Sequence, residues 1–148
     1  MTEIVILTLS LIVSMGSLLF TFFHFRSERC ANVRAFFAQG DSESFKKNRK
    51  SLYKKRKAFE NDQQEWLKSL QKSEDASNVV SFYDFWGLMV KKHYLPKWTF
   101  QDSSLYTLRQ AWENVKPYVE YRRITQPVYA SHFEWLIEKI KEKPTRKN

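Results

Sequence analysis

Apolar and polar positions divide the chain into an uncharged opening and a run of amphipathic segments. No side chain from Ile4 to Phe25 carries a fixed charge. At helical rise such a stretch spans roughly 33 Å, enough to cross a hydrocarbon core of about 30 Å. The chain begins Met1-Thr2-Glu3, without the basic start of a cleavable signal peptide, and no small-x-small cleavage site precedes Arg26. The pattern predicts an uncleaved transmembrane anchor over residues 1–25, with the span at 4–25.

Helical periodicity dominates the remainder of the chain. The anchor helix is expected to run on through Arg26 to Gln39, with Val33, Phe36 and Phe37 on its apolar side. Gly40 is its expected stop, and Asp41 or Ser42 the cap of the next helix. There Phe45, Leu52 and Phe59, with Tyr53 beside them, form one narrow stripe. Trp66, Leu67 and Leu70 mark a segment that continues or restarts after Asn61 and Asp62. The polar run SEDASN, residues 73–78, reads as a loop, with Asn78 capping a helix whose core face is Phe82, Trp86, Met89 and Val90. Pro96 ends that helix. Leu105, Leu108, Trp112, Val115 and Val119 define another, starting near Asp102 or Ser103 and kinked or restarted at Pro117. Pro127 opens the last, with Phe133, Leu136, Ile137 and Ile140 inward. The fold expected is all-α: a single N-terminal transmembrane helix plus a cytoplasmic four- to five-helix bundle over residues 26–142, then a disordered tail at 143–148.

Composition narrows this further. Only three Gly and four Pro argue against a turn-rich β domain. One cysteine, Cys30, excludes an intramolecular disulfide framework and suits a reducing compartment. A plain buried thiol is expected there, ahead of S-acylation. The net charge of +9 is uneven: residues 26–60 hold eleven Lys or Arg against four acids. Arg26, Arg29 and Arg34 follow the span and no basic residue precedes it, so the positive-inside bias places the N-terminus outside and the domain in the cytoplasm. The implied site is a membrane with the helical domain on its cytoplasmic face.

Three groups of residues are candidates for function. Ser10, Ser14, Ser17, Thr21 and His24 recur at steps of four and three, a heptad seam that would let copies of the span associate or, in a ring, line a pore. The competing reading is that each hydroxyl bonds its own backbone four residues back. Lys46, Lys47, Arg49, Lys50, Lys54, Lys55, Arg56 and Lys57 fall within twelve positions with no acid among them, so the helix repels itself unless anionic lipid, nucleic-acid phosphate or acidic protein lies opposite. Arg122 and Arg123 close one helix and His132 lies in the next. Helical ribonucleases of the HEPN type place an Arg and a His a few residues apart to act on a ribose hydroxyl. Eight residues intervene here, including Pro127, so that motif is absent as written and only a degenerate descendant would fit. The simpler reading pairs the arginines with Glu120, Glu134 or headgroups. His93 reads as a partner of a helix C-terminus. Five Trp, seven Tyr and twelve Phe sit mostly at core spacing rather than as base-stacking platforms. No motif asks for a metal, a cofactor or a small-molecule substrate.

Phe82-Tyr83-Asp84-Phe85-Trp86, then Trp112 with Lys116-Pro117-Tyr118-Val119 and Arg122-Arg123, then Phe133-Glu134-Trp135-Leu136 form a pattern of ordered aromatics. It resembles small bacterial single-span membrane proteins with an uncharacterised cytoplasmic helical domain, a domain of unknown function. The likeness runs from the anchor to about Lys141 and brings no functional residues with it. By architecture, an N-terminal span feeding a basic helical domain also resembles the small membrane accessory of RNA-targeting type VI-B CRISPR systems. That second resemblance implies a homo-oligomeric pore, an RNA-guided or RNA-bound effector complex as partner, and a role in antiviral defence.

Overall fold

The uncharged opening is helical, and the helix does not stop where the charges begin. α1 (Thr2–Gly40) runs 39 residues in one piece, since no Pro or Gly interrupts the backbone between Phe25 and Gly40. The computed structural model describes residues 2–59, 61–100 and 103–141, without the side chains of residues 2, 3, 103, 104 and 141. α2 (Glu43–Ala58), α3 (Gln63–Gln71), α4 (Glu74–Lys91), a 3-10 turn (Lys97–Phe100), α5 (Ser103–Arg123) and α6 (Ser131–Lys141) complete the chain. Every regular element among the described residues is helical, as expected, and five helices follow the apolar one. Asp102 and the expected disordered tail at 143–148 lie outside the described residues.

Local chemistry sets the helix starts. Ser42 Oγ accepts from the Phe45 amide at 3.3 Å, Asp62 Oδ1 from Glu65 at 2.9 Å and Ser73 Oγ from Ala76 at 3.3 Å. The third cap corrects the sequence reading. Residues 73–78 are not a loop: Ser73 is the cap, Glu74 and Asp75 occupy the first turn of α4 where the helix dipole favours acids, and Asn78 lies inside the helix. The earlier start adds buried Ala76, Val79 and Val80 to the core face. Pro117 does not end or restart α5, which continues to Arg123; buried Val115, Tyr118 and Val119 hold that turn in the core. Pro127 does not open α6 either. It sits in the turn before it, and the helix starts at Ser131.

α4 ends in a Schellman arrangement. Tyr94 N donates to Met89 O at 2.9 Å and His93 N to Val90 O at 3.0 Å, with His93 in the left-handed region at φ 64°. His93 thus closes α4 through its backbone.

α4 is the central helix, packed on α2, α5 and most extensively α6. Aromatic rings tie the layers together: Phe45 lies 4.0 Å from Phe82, Tyr83 4.9 Å from Phe133, and Trp112 5.0 Å from Phe133. The same core grips α1 near its C-terminal end. Phe36 is buried against Phe100, Trp86 and Phe82, at 4.7, 5.5 and 5.9 Å. Trp86 Nε1 also donates to Gln39 Oε1 at 3.3 Å. By contrast, Leu18 and Phe20 are 71% and 72% exposed, and none of the most apolar window of α1 is buried in the protein. That helix is long and apolar enough to be a candidate membrane span. Cys30, expected as a buried thiol, is free and exposed, because the bundle covers α1 only further along.

Trp66 combines full burial with an indole Nε1 that has no partner among the described residues, under the Arg56 guanidinium at 5.9 Å. Its value is therefore apolar volume. Trp66→Phe, which removes the orphaned donor, is expected to cost less than about 1 kcal/mol, and Trp66→Ala about 3–5 kcal/mol. Denaturant unfolding of the full chain in mild detergent, followed by circular dichroism, measures both. Equal losses would mean that the indole N–H carries the stability.

Candidate functional site

The seam residues stand on the exposed half of α1, and the hydroxyls of Ser14, Ser17 and Thr21 are already bonded. Ser14 Oγ donates to Ser10 O, Ser17 Oγ to Val13 O and Thr21 Oγ1 to Ser17 O, each at 2.9 Å. This is the backbone-bonded alternative, and within one chain it satisfies the donors. Each hydroxyl oxygen keeps lone pairs facing outward, so the stripe remains small and weakly polar. His24 Nδ1 lies 3.7 Å from Glu28 Oε1 one turn on, with the Phe20 ring 6.1 Å away.

α2 sorts its eight basic residues into three uses. Arg49 and Arg56 turn inward and lie over Phe45 and Trp66, at 5.2 and 5.9 Å. Lys46 reaches Asp41 at 3.7 Å and Glu43 at 4.0 Å, and Lys55 reaches Asp75 at 3.3 Å. Lys47, Lys50, Lys54 and Lys57 remain. All four are exposed, stand at steps of three, four and three, and have no acidic partner among the described residues. Four ammonium groups on one helix face repel unless an anion lies opposite. Burial pushes the Tyr83 hydroxyl up while the nearby Arg49 guanidinium pulls the other way. The Phe45 ring beneath its guanidinium explains why Arg49 turns inward and leaves the stripe.

The Arg/His candidates all have partners of their own. Arg123 donates from Nε to Tyr129 O at 2.9 Å and from Nη2 to Glu134 Oε2 at 2.8 Å. This clamps the turn at 124–130 onto α6, and Glu134 is the partner that the simpler sequence reading named. Arg122 lies over the Tyr129 ring at 5.4 Å and donates to Gln126 Oε1 at 3.4 Å. Burial and the neighbouring Tyr118 hydroxyl push Tyr129 up to about 12, so its phenol stays neutral and offers no base near neutral pH. His132 faces α4 instead, with Nδ1 3.6 Å from Asp84 Oδ2.

Asp84 is the residue that sequence reasoning passed over. Its Oδ1 accepts from the His132 amide at 2.8 Å and the Phe133 amide at 3.0 Å. It thereby caps the start of α6 from a different helix. Among the described residues no group of three or more His, Cys, Asp or Glu side chains is arranged to hold a metal ion.

The ordered aromatics thus lie on one bundle, and a family model covers the same stretch. The model of a domain of unknown function, DUF4760, matches residues 7–140. The chain belongs to the DUF4760 family. No curated protein and no solved structure matches. The DUF4760 match starts inside the apolar part of α1 and ends in α6, so the family unit takes in the apolar helix together with the bundle. The aromatic pattern that suggested a domain of unknown function rests on core contacts such as Tyr83 on Phe133.

The cap and the imidazole can be separated by mutation. Asp84→Ala is expected to lower stability by about 1–3 kcal/mol, since it leaves two part-buried amides unpaired. Asp84→Asn keeps an acceptor and should lose less than half of that, and His132→Ala less than about 1 kcal/mol. Thermal unfolding of the three detergent-solubilised variants checks the order. A loss in His132→Ala equal to that in Asp84→Ala would make the side-chain pair, and not the cap, the important contact.

Proposed function

We propose that this DUF4760 protein is a single-span protein of a bacterial inner membrane that self-associates through α1. On this reading its N-terminus lies outside, and its helical domain in the cytoplasm. The assembly would perturb the membrane, as a pore or a depolarising accessory in antiviral defence, with an RNA-guided or RNA-bound complex as the partner that engages the domain. The observation that carries the membrane part is the exposure of the whole apolar window of α1, 0% buried. In water that surface would be a large unfavourable apolar area. Arg26, Arg29 and Arg34 on the domain side supply the orientation.

The oligomeric part rests on the seam. A lone span cannot form a pore, because each seam residue would then face lipid; a ring turns one face inward. Hydroxyls bonded to their own backbone cost little against lipid, yet Ser10, Ser14 and Ser17 still allow close approach of neighbouring backbones. A wet lumen would also keep His24 hydrated.

A second reading is favoured by the four outward lysines: a membrane-tethered RNA binder, or a degenerate HEPN-like ribonuclease using Arg122, Arg123 and His132. The partners of Arg123 and His132 favour binding over cleavage.

Three outcomes are expected. Ser14→Leu with Ser17→Leu should abolish assembly or depolarisation while the protein still inserts; a monomeric wild type in mild detergent, or a double variant that behaves as wild type, removes the seam reading. A reporter fused at Asn148 should be active only in its cytoplasmic form, and periplasmic activity would reverse the topology. If RNA is the ligand, Lys47, Lys50, Lys54 and Lys57 changed together to Gln should flatten the dependence of log affinity on log salt by about three to four units. Retention on anionic vesicles but not on RNA discards that reading.

A further inference from the structure

The segment between α4 and α5 returns to α1 and makes a place that neither stretch suggests by itself. Phe22, Arg26, Arg29 and Val33 recur at steps of four, three and four along one side of α1. Pro96 and Trp98 lie across from them, and together these residues wall an open groove of about 590 Å³. Two contacts hold the far wall in place. Asn32 Nδ2 donates to Tyr94 O at 3.2 Å, and Leu95 is buried in the core beside it.

The groove is divided chemically along the axis of α1. Phe22 and Phe25 line the end toward the uncharged stretch, and Arg26, Arg29 and Arg34 line the end toward the domain. No carboxylate among the described residues lines it. Arg29 stacks on Phe25 at 5.8 Å, and its Nε is buried without a hydrogen-bond partner among the described residues. A buried guanidinium donor with nothing to bond is costly unless an anion completes it. Trp98 is 56% exposed at the level of the arginines, where an indole with one apolar and one polar edge suits a membrane–water boundary. A free anion would use the arginine half and leave the phenylalanines idle, whereas a neutral apolar ligand would do the reverse. A lipid with a negatively charged phosphate headgroup uses both.

We infer that this groove binds one anionic phospholipid. Its phosphate sits on the Arg26 and Arg29 guanidiniums, whose planar forks suit two phosphate oxygens at once. Its first acyl methylenes lie along Phe22 and Phe25 under the Trp98 indole. The site rests on the membrane reading of α1 and deepens it by naming the lipid class and the second segment of the chain that holds it.

The test uses the full chain in mild detergent, offered phosphatidylglycerol or phosphatidylcholine with the same acyl chains, with bound lipid counted by native mass spectrometry. The wild type is expected to retain one phosphatidylglycerol about tenfold better than phosphatidylcholine. R26Q with R29Q should bring the two lipids level, and Trp98→Ala should lower phosphatidylglycerol retention several-fold, with helicity unchanged by circular dichroism. Equal retention by the wild type overturns the site, as does displacement of the lipid by millimolar inorganic phosphate, which would mean a phosphate site only. If the double arginine variant loses helicity, Trp98→Ala decides alone, and unchanged retention there also overturns the site. Alkaline extraction of membranes runs alongside. A wild type released by alkali removes the membrane reading and the lipid site together. One that stays in the membrane without lipid preference removes the lipid site alone.

Discussion

Ala130 precedes α6 in the left-handed region, at φ 58°, with no side-chain oxygen to offer the first free amides of that helix. The Asp84 carboxylate on α4 supplies the missing acceptor to two of them. One turn along α4, Gly87 does the complementary job. A Cβ there would collide with the carbonyl oxygen of His132 and lie 2.8 Å from its carbon, so only glycine lets the two backbones come this close. One residue sets the rotation of α6 about α4 and the other its distance. Tyr83 on Phe133, and Phe133 on Trp112, are then packing consequences. The Arg123–Glu134 pair tethers the connecting turn but does not fix the angle. A partly exposed ion pair of this kind is worth little compared with a satisfied helix end.

The second constraint is that α1 has no hinge. The helix that carries the exposed apolar stretch also carries Phe36 into the core and Gln39 to the Trp86 indole. An unbroken helix cannot tilt at one end without moving the other. On the membrane reading, the angle of the span therefore dictates which face of the bundle looks at the bilayer. Asn32 on Tyr94 O reinforces this, because it fixes the segment carrying Trp98 beside Arg26 and Arg29.

Helical periodicity made much of the fold legible in the sequence: Phe45 and Leu52, Trp66 and Leu70, Leu108 through Val119, and Phe133 through Ile140 are buried as their spacing implies. What stayed hidden involves polar residues acting at a distance. SEDASN is polar enough for a loop, yet a Ser followed by two acids is equally the start of a helix, and burial of Val79 and Val80 decides between them. Asp84 caps an amide 48 residues away in the chain, which no local pattern encodes. Pro117 and Pro127 misled in opposite ways. A tertiary core held the helix through the first, and the turn before α6 absorbed the second. For the seam, the sequence displayed the stripe but not where its protons point. For Cys30, composition suggested burial, whereas exposure depends on how far along α1 the bundle reaches.

The basic helix is where sequence and structure differ most usefully. Eight positive charges in twelve residues read as one block, yet the fold spends half of them internally. The two arginines go to aromatic faces, which suits a weakly hydrated planar cation, and the outward stripe is all lysine, whose compact ammonium keeps its water. The field that α2 presents to solvent thus comes from four charges along roughly 15 Å of helix, comparable to one or two Debye lengths at physiological salt. At about 1 kcal/mol per basic residue near an anionic surface, four lysines alone hold a domain only loosely. For a domain already tethered by α1, a loose contact is sufficient to set orientation. For an untethered one, the same stripe would be too weak to matter. The meaning of the basic helix therefore depends on the apolar one.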